Sequence, residues 1–416
     1  MKLNFFKAVF FLTAIFSLSS AADLVSDVKC QQRWPWSLAV DFNYTITKTT
    51  AKTTPVYRVY FSLESPSGAF DTLTLYPNPN DFEGDGATGL ILDDGQKKTT
   101  WKNTSACEFS GDLADAVLKV HVEDVTDQAN YLKLDLETFR LTTSTVGPDV
   151  SSNAPSKYAE LWLKRIEPGT FIMGSATNEP GRVTTSNREA EHRVTITKAY
   201  YIGVFELTAG QYNRINENGT STAVTPQGSL TYDALRGTNY GATWPVPNDH
   251  RVDAASFFGK LRAKTGKNLI FDLPTEAQWE MAARWKGTTG HGTNDYYGSC
   301  YWNNGVKFDS SYNGITDVAW GVLNSGGTCH EVGLKEASTS GLYDMHGNHS
   351  ELVLDWMLAY STSDVIDPEG PIRGVTRVLR GGNFYLNAGF CRMAFRIYNQ
   401  PYESEDIQGC RVALQP

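Results

Sequence analysis

Leu273-Pro-Thr-Glu-Ala-Gln-Trp-Glu-Met-Ala-Ala-Arg284 is the stretch from which the chain is best read. Thr275 and Gln278 form a capping box. The threonine hydroxyl accepts the backbone N–H three residues on, and the glutamine reaches back to the threonine N–H. Pro274 stands before the cap, and Trp279, Met281, Ala282 and Ala283 continue as a helix-compatible run. The same Thr-x-x-Gln logic recurs at Thr208-Ala-Gly-Gln211, directly after the strand-like run Tyr200-Tyr-Ile-Gly-Val-Phe-Glu-Leu207. A third helix is expected over Asp253–Lys264, with Ala254, Phe257, Phe258 and Leu261 on one side. Long Gly- and Asn-rich loops fill 285–350, and loops of that length usually hold function or a bound ion.

Upstream the pattern changes. Positions 38, 40, 42, 44 and 46 are apolar, the period of a half-buried strand. Val56–Leu63 and Val117–Val125 are further β-rich runs, separated by turn residues such as Ser65-Pro-Ser-Gly68 and Asp93-Asp-Gly95. Residues 23–145 therefore read as an all-β sandwich. The stretch Gly95–Trp101 followed by the Val117–Val125 strand looks like an immunoglobulin- or fibronectin-like module. The polar, proline-bearing segment 146–156 reads as a linker. Residues 1–22 combine Lys2 and Lys7, a short apolar centre and small residues at Ser19-Ser-Ala-Ala22, which is a secretory signal. That run is too short to span a bilayer, and no other stretch approaches 18 apolar residues. The expected location is secreted, periplasmic or on the cell surface, with no membrane span in the mature chain.

Composition narrows the class further. Across 416 residues, 41% are hydrophobic and 20% charged, which excludes a disordered tail, a fibre or a coiled coil. A net charge of −9 argues against nucleic acid as a partner. No phosphate-cradling glycine loop and no nucleophile elbow appear. Six cysteines are present, and in an oxidising compartment spaced cysteines are disulfide candidates first. Cys30 and Cys107 are the two in the β module and are expected to pair.

From about residue 157 to 416 the chain resembles the sulfatase-modifying-factor, or formylglycine-generating-enzyme, family. The ordered set Phe171-Ile-Met-Gly-Ser175, Tyr201–Thr208, Leu273–Arg284, Gly341-Leu-Tyr-Asp-Met-His-Gly-Asn348, Arg377-Val-Leu-Arg-Gly-Gly382, Cys391-Arg-Met-Ala-Phe-Arg396 and Gly409-Cys-Arg-Val-Ala413 carries the likeness. It implies an α+β, C-type-lectin-like fold with little regular secondary structure.

The resemblance also implies a chemistry that can be tested against the residues. Formylglycine-generating enzymes oxidise a cysteine of a client sulfatase, using a cysteine pair that binds copper(I). A soft cation of that kind needs thiolates. The family pair precedes an arginine by thirteen and eight residues. With Arg396 as that arginine, the pair falls on Asn383 and Ala388, so no copper is expected. Counting forward from Gly381-Gly382 places it on Leu386 and Cys391 instead, and leaves one thiol. Cys410 stands where the family packs an aromatic in its core, so it is expected to pair with Cys391. Cys300 and Cys329 then remain for each other.

The family's calcium loop matches Asp344-Met-His-Gly-Asn-His-Ser-Glu351, with Asp344 and Glu351 giving side chains and Gly347 and His349 giving carbonyls. Such a mixed oxygen set suits calcium. His346 and His349 lack a third ligand at zinc spacing. Asp309 and Asp317, near Asn303 and Asn304, lie where the family holds a second calcium, without a residue-level match. Phe384, Tyr385, Phe390 and Tyr398 are candidates to line a groove.

Three functional readings follow. The first is an exported, calcium-stabilised binding module that has lost the copper chemistry, with a protein, peptide or glycan ligand. The second is an oxidoreductase of the same superfamily, acting on a cysteine or another substrate, some relatives of which use nonheme iron. The third is a retroelement-diversified surface receptor, varied after the Arg380-Gly-Gly382 turn.

Overall fold

A computed structural model describes residues 24–32, 39–48, 54–64, 72–102, 117–179, 181–185, 188–238, 251–266, 269–284, 315–338 and 340–415. The expected signal segment, Cys107, Cys300, Asn303, Asn304 and Asp309 lie outside the described residues. The chain divides into two compact units, the first running to Ala129 and also taking Thr138–Thr143 and Lys264–Leu269.

The first unit is built on the expected alternation. One sheet runs β1 (Val25–Gln32), β2 (Val40–Ile46), β7 (Gly95–Trp101), β5 (Phe82–Gly84). In the other, β3 (Tyr57–Glu64) pairs with β4 (Leu73–Leu75), β6 (Leu90–Ile91) and β8 (Val117–Asp124). Val40, Phe42, Tyr44 and Ile46 of β2 are buried, and so are Tyr57, Val59, Phe61 and Leu63 of β3. The two sheets meet through Phe61, whose ring lies 4.4 Å from Phe42 and 5.4 Å from Phe82. Each such buried ring stabilises the unit by about 2 kcal/mol.

The second unit takes Asn130–Glu137 out of the expected β module and then runs on from Ser144, beside the expected boundary at residue 145. β9 (Tyr131–Asp135) buries Leu132 and Leu134 and pairs with β11 (Glu160–Ile166), so it joins the later domain; β10 (Leu141–Ser144) follows it. From β9 the sheet continues through β11, β14 (Tyr200–Gly203), β21 (Ala413–Gln415) and β15 (Ile270–Asp272), with every pair antiparallel. The C-terminal strand is thus an inner one. A second sheet joins β12 (Gly169–Met173), β13 (His192–Ile196) and β17 (Val365–Ile366). A third runs β19 (Ile397–Asn399), β18 (Arg377–Arg380), β16 (Ser350–Trp356), β20 (Gln408–Cys410).

Among the described residues the α-helices are α1 (Ala209–Asn216), α2 (Tyr232–Arg236), α3 (Phe257–Thr265) and α4 (Glu276–Arg284). Both expected capping boxes form. Gln211 N–H donates to Thr208 Oγ1 at 3.2 Å and Gln278 N–H to Thr275 Oγ1 at 3.1 Å, with each glutamine bonded back to its threonine N–H. α3 begins four residues later than Asp253 because Ser256 caps it, accepting from Gly259 N–H at 3.1 Å. The expected linker is packed onto the second unit, where Glu331 accepts from Ser152 Oγ, Asn153 N–H and Lys157 Nζ. Among the described residues no helix is long and apolar enough to cross a membrane.

Candidate functional site

Every residue of α4 is buried, including Glu276, Gln278, Glu280 and Arg284. A buried carboxylate needs a partner, and β18 supplies one. Arg380 donates through Nη1 to Glu276 Oε1 at 3.0 Å and through Nη2 to Glu280 Oε2 at 2.5 Å. The chain then turns at Gly381 and Gly382, both with positive φ, of 86° and 75°. A side chain on Gly382 would meet Phe390 O at 2.4 Å and the Cys391 thiol at 2.9 Å, so only glycine fits there.

The residues after this turn separate into buried and exposed positions. Asn383 is buried, with Nδ2 donating to Ser350 Oγ at 3.1 Å and Oδ1 accepting Tyr385 N–H at 3.0 Å. Ala388 is a core residue, and Leu386 packs on the same core. Cys391 is fully buried, and burial pushes its thiol up to about 12. Of the four aromatics expected in a groove, Tyr385 and Tyr398 are exposed, while Phe390 is half-buried against Phe395. Phe384 is buried beside His349, which corrects its expected role as a groove wall. Val322 N–H donates to Leu386 O at 3.0 Å and Ser325 Oγ to Phe384 O at 2.8 Å, which ties the segment carrying exposed Val322 and Leu323 to the one carrying Tyr385.

The 344–351 loop lies wholly inside the protein. Asp344, Gly347 and Asn348 have φ of 55°, 74° and 58°, the left-handed conformation of a tight turn. Asp344 Oδ2 accepts Gly333 N–H at 2.6 Å, but its buried Oδ1 has no hydrogen-bond partner. Burial raises this carboxyl to about 6. Glu351 is held by Trp279 Nε1 at 2.6 Å and by Arg411, whose Nη2 lies 2.7 Å from Oε1. Both ring nitrogens of His349 are buried without a partner, and burial lowers the imidazole to about 4. His346 Nδ1 bonds Cys391 O at 2.6 Å.

Glu206, quoted above only as part of a strand-like run, belongs to this group. Its Oε1 accepts His349 N–H at 2.8 Å and its Oε2 accepts Asn348 Nδ2 at 2.7 Å. Burial, then the charges of Asp344 and Glu351, hold Glu206 well above the usual carboxylate range. A lone glutamate in an otherwise apolar run was the available signal. Among the described residues no three His, Cys, Asp or Glu side chains gather as a metal-holding group. A cation in this loop would need backbone carbonyls as well as Asp344.

The cysteines correct one pairing. Cys391 and Cys410 are both free and buried, so the expected bridge between them is not formed. Cys410 sits on β20 opposite Leu352 of β16, whereas Cys391 lies beneath the Gly382 turn. Cys30 and Cys329 are half-buried, and their expected partners lie outside the described residues.

Residues 151–416 match the family described as the sulfatase-modifying factor enzyme 1-like domain. The formylglycine-generating enzyme of Bos taurus is 27% identical over 290 residues, covering 60% of this chain and 73% of that one. The formylglycine-generating enzyme of Thermomonospora curvata is 32% identical over 165 residues, covering 35% and 49%. Among solved structures, Treponema denticola variable protein 1 superposes with a TM-score of 0.46 at 23% identity, covering 65% of this chain and 99% of its own. PvdO from Pseudomonas aeruginosa gives 0.46 at 18% identity, covering 65% and 98%.

Proposed function

The chain belongs to the sulfatase-modifying factor enzyme 1-like family, and from that premise we propose that it is an exported binding module on the formylglycine-generating-enzyme scaffold, without that enzyme's copper chemistry. Cys391 carries the reading. One register puts the family's two thiols on Asn383 and Ala388, the other on Leu386 and Cys391. In the second register the single sulfur is a buried thiol raised to about 12, so it stays protonated at neutral pH. Copper(I) binding needs a thiolate pair, and neither set of residues fits it.

The scaffold still offers a surface. Tyr385 and Val322 are exposed on two segments joined by the Val322 N–H bond to Leu386 O, after the Gly382 turn, which suits a protein, peptide or glycan ligand. On the same reading the second unit is the lectin-like fold of the family, and the first an immunoglobulin- or fibronectin-like sandwich. Short, mostly antiparallel strands and few helices among the described residues support it. Calcium in the 344–351 loop is part of the proposal. The orphaned Asp344 Oδ1 supports it, with Asp344 and the carbonyls of Gly347 and His349 as the holding residues; Glu351, expected as a further ligand, is already engaged by Trp279 and Arg411.

The test is metal analysis of the secreted protein, with oxygen consumption measured on a sulfatase-type cysteine peptide. No stoichiometric copper or iron and no turnover is the expected result. Either metal with turnover would return the chain to the oxidoreductases. For calcium, a chelator should lower the melting temperature and added calcium restore it; no change in either direction removes calcium from the reading.

A further inference from the structure

We infer that Glu206 is the charge partner of the cation in the 344–351 loop and sets the affinity of that loop for a divalent ion. The inference rests on the calcium reading above and adds a residue that the loop motif does not contain.

Glu206 is 1% exposed, and its two hydrogen bonds come from neutral donors, the His349 amide and the Asn348 carboxamide. Among the described residues it makes no ion pair, and neither does Asp344. Buried carboxylates are ordinarily paired with a cation or placed beside a metal ion. Glu351 does have its cation, Arg411, whose remaining N–H groups go to the carbonyls of Gly203, Val204 and Tyr343. Lys157 acts on Asp344 electrostatically, but its ammonium is paired with Glu331 at 2.8 Å. Three buried carboxylates thus share one guanidinium, and it belongs to Glu351, so among the described residues neither Glu206 nor Asp344 has a cationic side chain of its own. A divalent ion matches that deficit, and the unpartnered Asp344 Oδ1 marks where it is felt.

The bonding pattern says how Glu206 acts. The peptide unit joining Asn348 to His349 lies between the Gly347 and His349 carbonyls, and Glu206 clamps it by its N–H. It also holds the Asn348 side chain. Since no three acidic, imidazole or thiol side chains gather as a metal-holding group, Glu206 is a positioning residue behind the carbonyl ligands. Outer residues of this kind typically change metal affinity by about 10- to 100-fold.

The experiment uses the full secreted chain, titrated with calcium by calorimetry and melted in calcium and in chelator. Glu206→Gln should bind calcium roughly 10- to 100-fold more weakly. In calcium it should melt below the unmodified protein, and in chelator at or above it, because without the ion Glu206 has no cationic partner to lose. A residue that only accepts hydrogen bonds would cost stability equally in both solutions, and that result overturns the inference. Glu206→Asp keeps the charge and should retain more affinity than Glu206→Gln; an equal loss in both also overturns it. Should the unmodified chain bind no calcium, the loop reading itself fails. Should it bind while Glu206→Gln binds equally well, the loop reading stands and only the role of Glu206 falls.

Discussion

Arg396 grips both oxygens of Glu276, Nε to Oε1 at 2.6 Å and Nη2 to Oε2 at 2.7 Å. Both residues are buried, and Arg380 and the Tyr360 hydroxyl meet the same carboxylate. The start of α4 is thereby tied to the segment that ends at Arg396. Removing one member of a buried pair leaves the other as an uncompensated charge, which costs about 3–5 kcal/mol. Glu276→Gln should therefore lose about that much in urea unfolding at neutral pH. A loss under about 1 kcal/mol would mean that the pair is solvated and weak.

Asp355 gives the fold a pH dependence. Its Oδ2 accepts Glu276 N–H at 2.6 Å at the first turn of α4. Burial, then the negative charge of Glu276, raises Asp355 to about 7. An unfolded aspartate titrates near pH ~3.9. A folded pKa above the unfolded one means that the native state binds the extra proton. The contribution is full below pH ~3.9 and is lost as pH rises through about 7. Asp355→Asn imitates the protonated form and lacks this loss. Its stability relative to the unmodified chain should rise between pH 5 and 7 by up to ~1.4 kcal/mol per pH unit. Parallel curves for the two proteins would refute it.

What the sequence disclosed depended on distance along the chain. The capping boxes at Thr208 and Thr275 are bonds between residues three apart, and the alternation in β2 is a local period, so both were legible. Glu206 was not, because its partners Asn348 and His349 lie 142 and 143 residues away. β9 went to the wrong module for the same reason. An alternating strand shows that one face is buried, but not which sheet buries it. Cys391 and Cys410 were expected to bridge because Cys410 stands at a core position of the family, yet β20 and the Gly382 turn hold the two in separate surroundings.

That separation predicts thiol chemistry. Cys391 is raised to about 12 by burial, and Cys410 is raised by burial and then by the charge of Glu351. The thiolate is the reactive form, so at pH 8 native Cys391 should alkylate about 10³-fold more slowly than a free thiol of ordinary pKa. In denaturant, without reductant, both should react at once. Peptide mapping of the non-reduced protein that recovered Cys391 and Cys410 joined would contradict the structure.

Lys157 and Glu331 make the last prediction, because they decide whether 146–156 is a linker or a strap. Lys157 is fully buried, its Nζ is 2.8 Å from Glu331 Oε1, and Ser152 and Asn153 bond the same carboxylate. Glu331→Gln leaves the lysine buried without its counterion and should cost about 3 kcal/mol or more. Lys157→Met replaces the ammonium with apolar volume and exposes no orphan cation, so it should cost clearly less. Limited proteolysis reads the difference locally. Cleavage within 146–156 should quicken in Glu331→Gln well before global unfolding, since local opening follows the stability of the segment itself. If the two variants were cut at the rate of the unmodified chain, the segment would be a free linker after all, and its bonds to Glu331 would carry no weight.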